Sequence, residues 1–83
     1  MRKYNERTNV IGTILKKLRV SRKFSQTKLC KKLELLGIVM TKEDLSKIES
    51  GKKIVKDFEV WGIAKVLEVP LDELFDEIEK DVA

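Results

Sequence analysis

The chain has no histidine, one cysteine and one proline in 83 residues, and each shortage removes a class of function. A lone thiol, Cys30, builds neither an internal disulfide nor, without histidine, a zinc cluster. With no imidazole and no second thiol there is no visible nucleophile–base pair, so the expectation is a non-enzyme that needs neither metal nor cofactor. Pro70 and only four glycines leave little turn punctuation for an all-β fold. No apolar stretch approaches the roughly 18 residues that a membrane span requires. The opening run Met1-Arg2-Lys3-Tyr4-Asn5-Glu6-Arg7 is polar and no apolar signal region follows it. These absences, with the single thiol, predict a protein of the cytoplasm with no membrane contact.

What is present is charge, and it is unevenly placed. Charged residues make up 39% of the chain, enough to solvate the whole outside of a small bundle, and the net charge is +4. Residues 1–56 hold 16 Lys and Arg against 5 Asp and Glu, a balance of +11. Residues 57–83 hold 2 against 9, a balance of −7. A basic first two-thirds and an acidic end predict one surface that faces a polyanion and another that faces away.

Isoleucine, leucine and valine recur at gaps of three and four, which is helix spacing. Five helices are predicted, with a polar arm at residues 1–9, one domain at 10–78 and a frayed tail at 79–83. The first helix spans residues 10–20 under an Asn9 cap, with Ile11, Ile14, Leu15 and Leu18 as its apolar stripe. Ser25 caps the second, which turns Leu29, Cys30 and Leu33 inward and Lys28, Lys31 and Lys32 to solvent. Gly37 closes that helix or the coil after it. Thr41 caps a third helix at 42–50, with Leu45 and Ile48 inside and Gly51 at its left-handed end. Asp57 caps a fourth, whose buried candidates are Phe58, Trp61, Ala64 and Ile63 or Leu67. Val69-Pro70 ends it, and Leu71, Leu74, Phe75 and Ile78 line one face of the fifth.

Several blocks, read in order, form a pattern. They are Ile11-Gly12 with Leu18-Arg19, Phe24-Ser25-Gln26-Thr27-Lys28-Leu29, Leu45-Ser46-Lys47-Ile48-Glu49-Ser50-Gly51-Lys52, Ala64-Lys65-Val66-Leu67, and Val69-Pro70-Leu71-Asp72-Glu73-Leu74-Phe75. Over residues 10–76 this resembles the phage-repressor type of helix-turn-helix domain, the Cro/C1 or XRE family. The resemblance implies an all-α, compact five-helix bundle in which the second and third helices form the helix-turn-helix and the third lies in the DNA major groove. Three departures stand out. About five extra residues separate Leu33 from Leu45, so the second helix or its turn is longer; Lys23 and Glu68 replace turn glycines; and Glu43 and Asp44 follow Lys42.

The resemblance implies roles for individual residues. Lys42, Glu43, Ser46 and Lys47 would meet base edges, lysine donating to guanine and glutamate accepting from a cytosine amino group. Glu43 and Asp44 equally suit the positive end of a helix dipole. Gln26, Thr41, Lys52 and Lys53 would meet phosphate, although for the two lysines a solvated turn is the other reading. Arg19 and Glu49, each following a core residue, would form a structural ion pair bridging the first and third helices. Cys30 and Trp61 read as core, Trp61 alternatively as a subunit contact.

The partner implied is double-stranded DNA, bound by a sequence-specific transcriptional regulator of repressor type. Pairing would be as a weak homodimer, or only on DNA with half-sites about 34 Å apart. The fifth helix would supply that contact, with Ile78 the residue left over from the core and Asp72, Asp76, Glu77, Glu79 and Asp81 opposing a tight pair. The alternative is a protein-binding module of antitoxin or anti-repressor type on the same fold.

Overall fold

The computed structural model describes residues 7–82 of the chain. Five helices follow one another: α1 (Gly12–Ser21), α2 (Gln26–Leu35), α3 (Lys42–Glu49), α4 (Asp57–Leu67) and α5 (Leu71–Val82). α1 packs on α3, α4 and α5, α2 packs on α3 and α4, and α4 packs on α5. The fold is all-α, as expected. Ile14 and Leu15 of α1, Leu29 and Leu33 of α2, Leu45 and Ile48 of α3, Ile63 and Leu67 of α4, and Leu74 of α5 are fully buried. Each helix therefore contributes to one core, and no helix is long and apolar enough to cross a membrane.

Two helix starts differ from expectation. α1 begins at Gly12 and not at residue 10, yet Asn9 still caps it, because Asn9 Oδ1 accepts from the Gly12 N–H at 2.6 Å. The residues between form a lead-in turn, closed by Leu15 N–H to Ile11 O at 2.9 Å. α4 is entered through Lys56, not Asp57: Glu59 accepts the Lys56 N–H at 2.8 Å, while Asp57 is already the first helical residue. The expected tail is helical too, since α5 runs to Val82. Residues 1–6 of the expected arm lie outside the described residues, and Thr8 is tied to the body by its N–H to Gly51 O at 2.8 Å.

Two aromatic side chains expected in the core are outside it, and so are two residues of the apolar stripe of α5. Phe58 and Trp61 are about half exposed, as are Leu71 and Phe75. Helix phase explains α4: with about 100° per residue, Phe58 and Trp61 stand roughly 140–160° from Ile63, on the opposite side of the cylinder. Glu59, Gly62, Ile63, Ala64 and Leu67 form its buried face. Among the described side chains of α5, Leu74 is the one fully buried; Ile78 packs against the core beside it, and Leu71 and Phe75 lie at the edges of the stripe.

The first four helices end alike. After each, one N–H bonds back three residues and the next bonds back five: Lys23 to Val20 and Phe24 to Arg19, Gly37 to Glu34 and Ile38 to Leu33, Gly51 to Ile48 and Lys52 to Lys47, Glu68 to Lys65 and Val69 to Ala64. This double bond requires a left-handed residue. Gly37 and Gly51 supply it at φ 82° and 78°, and Lys23 and Glu68 are held at φ 60° and 58°. These are the two positions where turn glycines were missing from the sequence pattern.

A left-handed non-glycine residue costs about 1–2 kcal/mol, part of which glycine returns through unfolded-chain entropy. Lys23→Gly and Glu68→Gly are each expected to raise stability by roughly 0.5–1 kcal/mol, and Gly37→Ala to lower it by about 1 kcal/mol. Urea midpoints of the three variants test this; a fall in stability for both glycine variants would contradict it.

Candidate nucleic-acid interface

α3 is built to show one face and bury the other. Thr41 accepts the Asp44 N–H at 3.0 Å, and Asp44 in return accepts the Thr41 N–H at 3.3 Å, a capping box that satisfies two donors at the helix start. Leu45, Ile48 and Glu49 point inward, whereas Lys42, Glu43, Ser46 and Lys47 are all exposed. At about 100° per residue these four fall within an arc of roughly 140°, so they share one outward strip.

The other end of α3 is locked. Arg19 and Glu49 form a two-pronged ion pair, Nε to Oε2 at 2.6 Å and Nη2 to Oε1 at 3.1 Å, with both residues buried. Arg19 Nη1 also donates to the Phe24 carbonyl at 2.7 Å, and Gln26 Nε2 donates to Glu49 Oε1 at 3.0 Å. One carboxylate thus fastens α1, the start of α2 and the end of α3. Beside it, Asn9 Nδ2 donates to Ile48 O at 3.0 Å and to Lys53 O at 2.8 Å. A Cβ at Gly12 would overlap the Ile48 carbonyl oxygen, so α1 and α3 touch backbone to backbone there.

The expected phosphate-binding residues fare differently. Thr41 is exposed at the start of α3, with its hydroxyl proton available. Gln26 is half-buried against Glu49, but its amide has a second N–H. Lys52 is exposed. Lys53 is committed: its ammonium lies 2.7 Å from Asp44 Oδ1. That contact, with the Thr41 hydrogen bonds, draws the Asp44 carboxyl down to about 2 from its ordinary 3.8. Asp44 is therefore occupied with helix capping and Lys53, leaving Glu43 as the acid on the outward strip. Cys30 is part-buried against the core, and burial, followed by the negative charges of Asp44 and Glu49, raises its thiol pKa.

The longer link between α2 and α3 is accommodated in two ways. α2 continues to Leu35, Leu36 and Gly37 form the turn that closes it, and residues 38–41 lead to α3 with Ile38 and Met40 buried and Val39 exposed. The alternation pins the connection to the core without disturbing the approach to Thr41.

Residues 15–74 match the model of the helix-turn-helix family. The chain belongs to that family, in its Cro/C1-like XRE branch. No curated relative and no solved structure matches it. The family is one of DNA-binding regulators, and in this helix-turn-helix protein α2 and α3 pack on each other.

Three features of this helix-turn-helix site had no local signal. Asn9 reaches partners 39 and 44 positions away, Asp44 meets Lys53 at no helical spacing, and Arg7 is brought against Gly51. A buried ion pair that loses one member strands the other, so Arg19→Ala and Glu49→Ala are each expected to cost about 3 kcal/mol. Lys52→Ala should stay within about 0.5 kcal/mol, as exposed changes do. Chemical denaturation decides; three equal midpoints would mean the pair contributes nothing net.

Proposed function

We propose that this protein binds double-stranded DNA sequence-specifically and represses transcription by occupying the site that RNA polymerase needs. The observation that carries this reading is the outward strip of α3: Lys42, Glu43, Ser46 and Lys47 stand exposed on one side of a helix whose far end is clamped by a buried ion pair. A clamped helix holds its side chains at a set angle, which base readout requires. Lysines 42 and 47 donate to guanine O6 and N7, and Glu43 accepts from a cytosine amino group. Phosphate is met at the start of α2 by Gln26 and the helix amides, at Thr41, and at Lys52. Lys53 is paired with Asp44, which offsets its charge. The acidic α5 faces away from the duplex. The protein works in the cytoplasm, by binding and without catalysis.

The expected signature is electrostatic. Neutralising about four to six phosphates gives a log–log slope of affinity against salt of about −4 to −5 per domain. A flat titration would favour the alternative, in which α3 docks a protein partner.

Two copies are proposed to pair on a palindromic site. Leu71 and Phe75 of α5, with Trp61 of α4, border an apolar groove of ≈ 420 Å³ that Val10, Val55 and Ile78 also line. Phe75, and not Ile78, is the side chain left over from the core, because Ile78 packs inward. Asp57, Asp72 and Asp76 flank this face and keep a symmetric contact weak without DNA. Phe75→Glu is expected to abolish cooperative filling of two half-sites while leaving single-site affinity within about twofold. Sedimentation with one-half-site and two-half-site duplexes tests it. Unchanged cooperativity would place the contact elsewhere.

A further inference from the structure

Among the basic residues near α3, one was not part of the sequence pattern at all. The Thr8 N–H bond to Gly51 O lays residue 7 across the end of α3, 44 positions away in the chain. A Cβ at Gly51 would lie 2.8 Å from Arg7 Nε and 3.3 Å from Nη2, so the guanidinium rests on the bare backbone of that glycine. Arg7 Nε is buried and has no acceptor among the described residues, and no carboxylate among them pairs with Arg7. The residue as a whole is only part-buried. Nε is closed off against Gly51, so a partner from outside would meet the Nη groups, which bond to no described residue; a guanidinium this poorly bonded in an otherwise well-bonded fold calls for an acceptor.

The surroundings say which acceptor. Arg7 adjoins the Gly51-Lys52-Lys53 turn, where two lysines were expected to meet phosphate, and one of the two, Lys53, is taken by Asp44. Lys52 is exposed. The turn lies at the opposite end of α3 from Thr41 and Lys42, past the bases read by the helix start and toward the sugar–phosphate strand. A planar guanidinium held at a set angle suits an oxygen pair on phosphate better than a mobile ammonium does.

We propose that Arg7 is a phosphate-binding residue which, with Lys52, makes an anion site at the turn between α3 and α4, Gly51 being its floor. This rests on the DNA-binding reading above. A backbone phosphate carries no sequence information, so the contact strengthens cognate and random duplexes alike.

Arg7→Gln removes the charge and keeps a polar side chain; Arg7→Lys keeps the charge and loses the fork. Binding of the full chain to a short random-sequence duplex and to a selected duplex is measured across a salt series, with thermal midpoints of all three proteins alongside. Arg7→Gln is expected to make the salt slope shallower by about 0.9 and to weaken both duplexes by the same factor, about five- to twentyfold at low salt. Arg7→Lys is expected to keep the slope. An unchanged slope for Arg7→Gln, with or without a lower midpoint, overturns the assignment and leaves Arg7 as a cover over Gly51. So does a loss confined to the selected duplex, which would make it a base contact. A wild-type titration that is itself flat overturns the DNA-binding reading first, and this site with it.

Discussion

Glu49 occupies a position that helix electrostatics disfavours. It is the last residue of α3, where the carbonyl end of the helix dipole repels a carboxylate, and it is buried, where an ionised group loses its hydration. The structure answers both costs at once. Arg19 approaches with two N–H groups, Gln26 with a third, and Arg19 uses its remaining arm on the Phe24 carbonyl. A geometry this well satisfied tolerates few alternatives, because rotating α3 by even part of a turn would leave a buried charge without its partner. The orientation of α3 relative to α1 and α2 follows, and with it the direction in which Lys42, Glu43, Ser46 and Lys47 face. Asn9 and the close approach of Gly12 to Ile48 act on the same joint from the other side.

The helix ends show how the rest of the bundle holds that joint. Four consecutive helices stop through the same pair of backbone bonds, two of them on glycine and two on residues that resist the required conformation. Lys23 follows α1 at the entrance to the helix-turn-helix, and Glu68 precedes the Val69-Pro70 step into α5. At both places the next residue or the one after is anchored: Phe24 packs against the core and Val69 is buried. Tertiary packing therefore holds the left-handed turns in place.

Charge and apolar surface are divided across the molecule. The lysines of α2 and α3 are exposed, while α5 carries acids in its first turn and along its exposed face. Of the exposed aromatics, Trp61 and Phe75 line the groove beside α4 and α5, and lysines cover the rings of Phe58 and Trp61. In the proposed binding mode the duplex meets α3, so DNA and a second chain at that groove would use different surfaces.

Local pattern was sufficient for much of this. Apolar spacing placed all five helices, Ser25 and Thr41 marked the starts of α2 and α3, and Gly37 and Gly51 marked two of the ends, since each signal acts within a few residues. The order of the motif blocks identified the family and, by analogy, the exposed strip of α3. Local pattern misjudged Phe58 and Trp61, and on α5 took Ile78 for the residue left over where Phe75 is, because an apolar residue on a helix reads as core until the rotation of that helix against its neighbours is known. It was silent on the bonds from Asn9 to the Ile48 and Lys53 carbonyls, on Arg7 and on the pairing of Lys53 with Asp44. Those contacts join residues that are distant in the chain or out of helical phase, and only the packing of α1 and α3 brings them within hydrogen-bond reach. What the sequence by itself determined was which segments are helices and which face of α3 is polar; what the tertiary structure alone decided was which charges are left unpaired to meet a partner, because pairing depends on distances across helices that no local periodicity encodes.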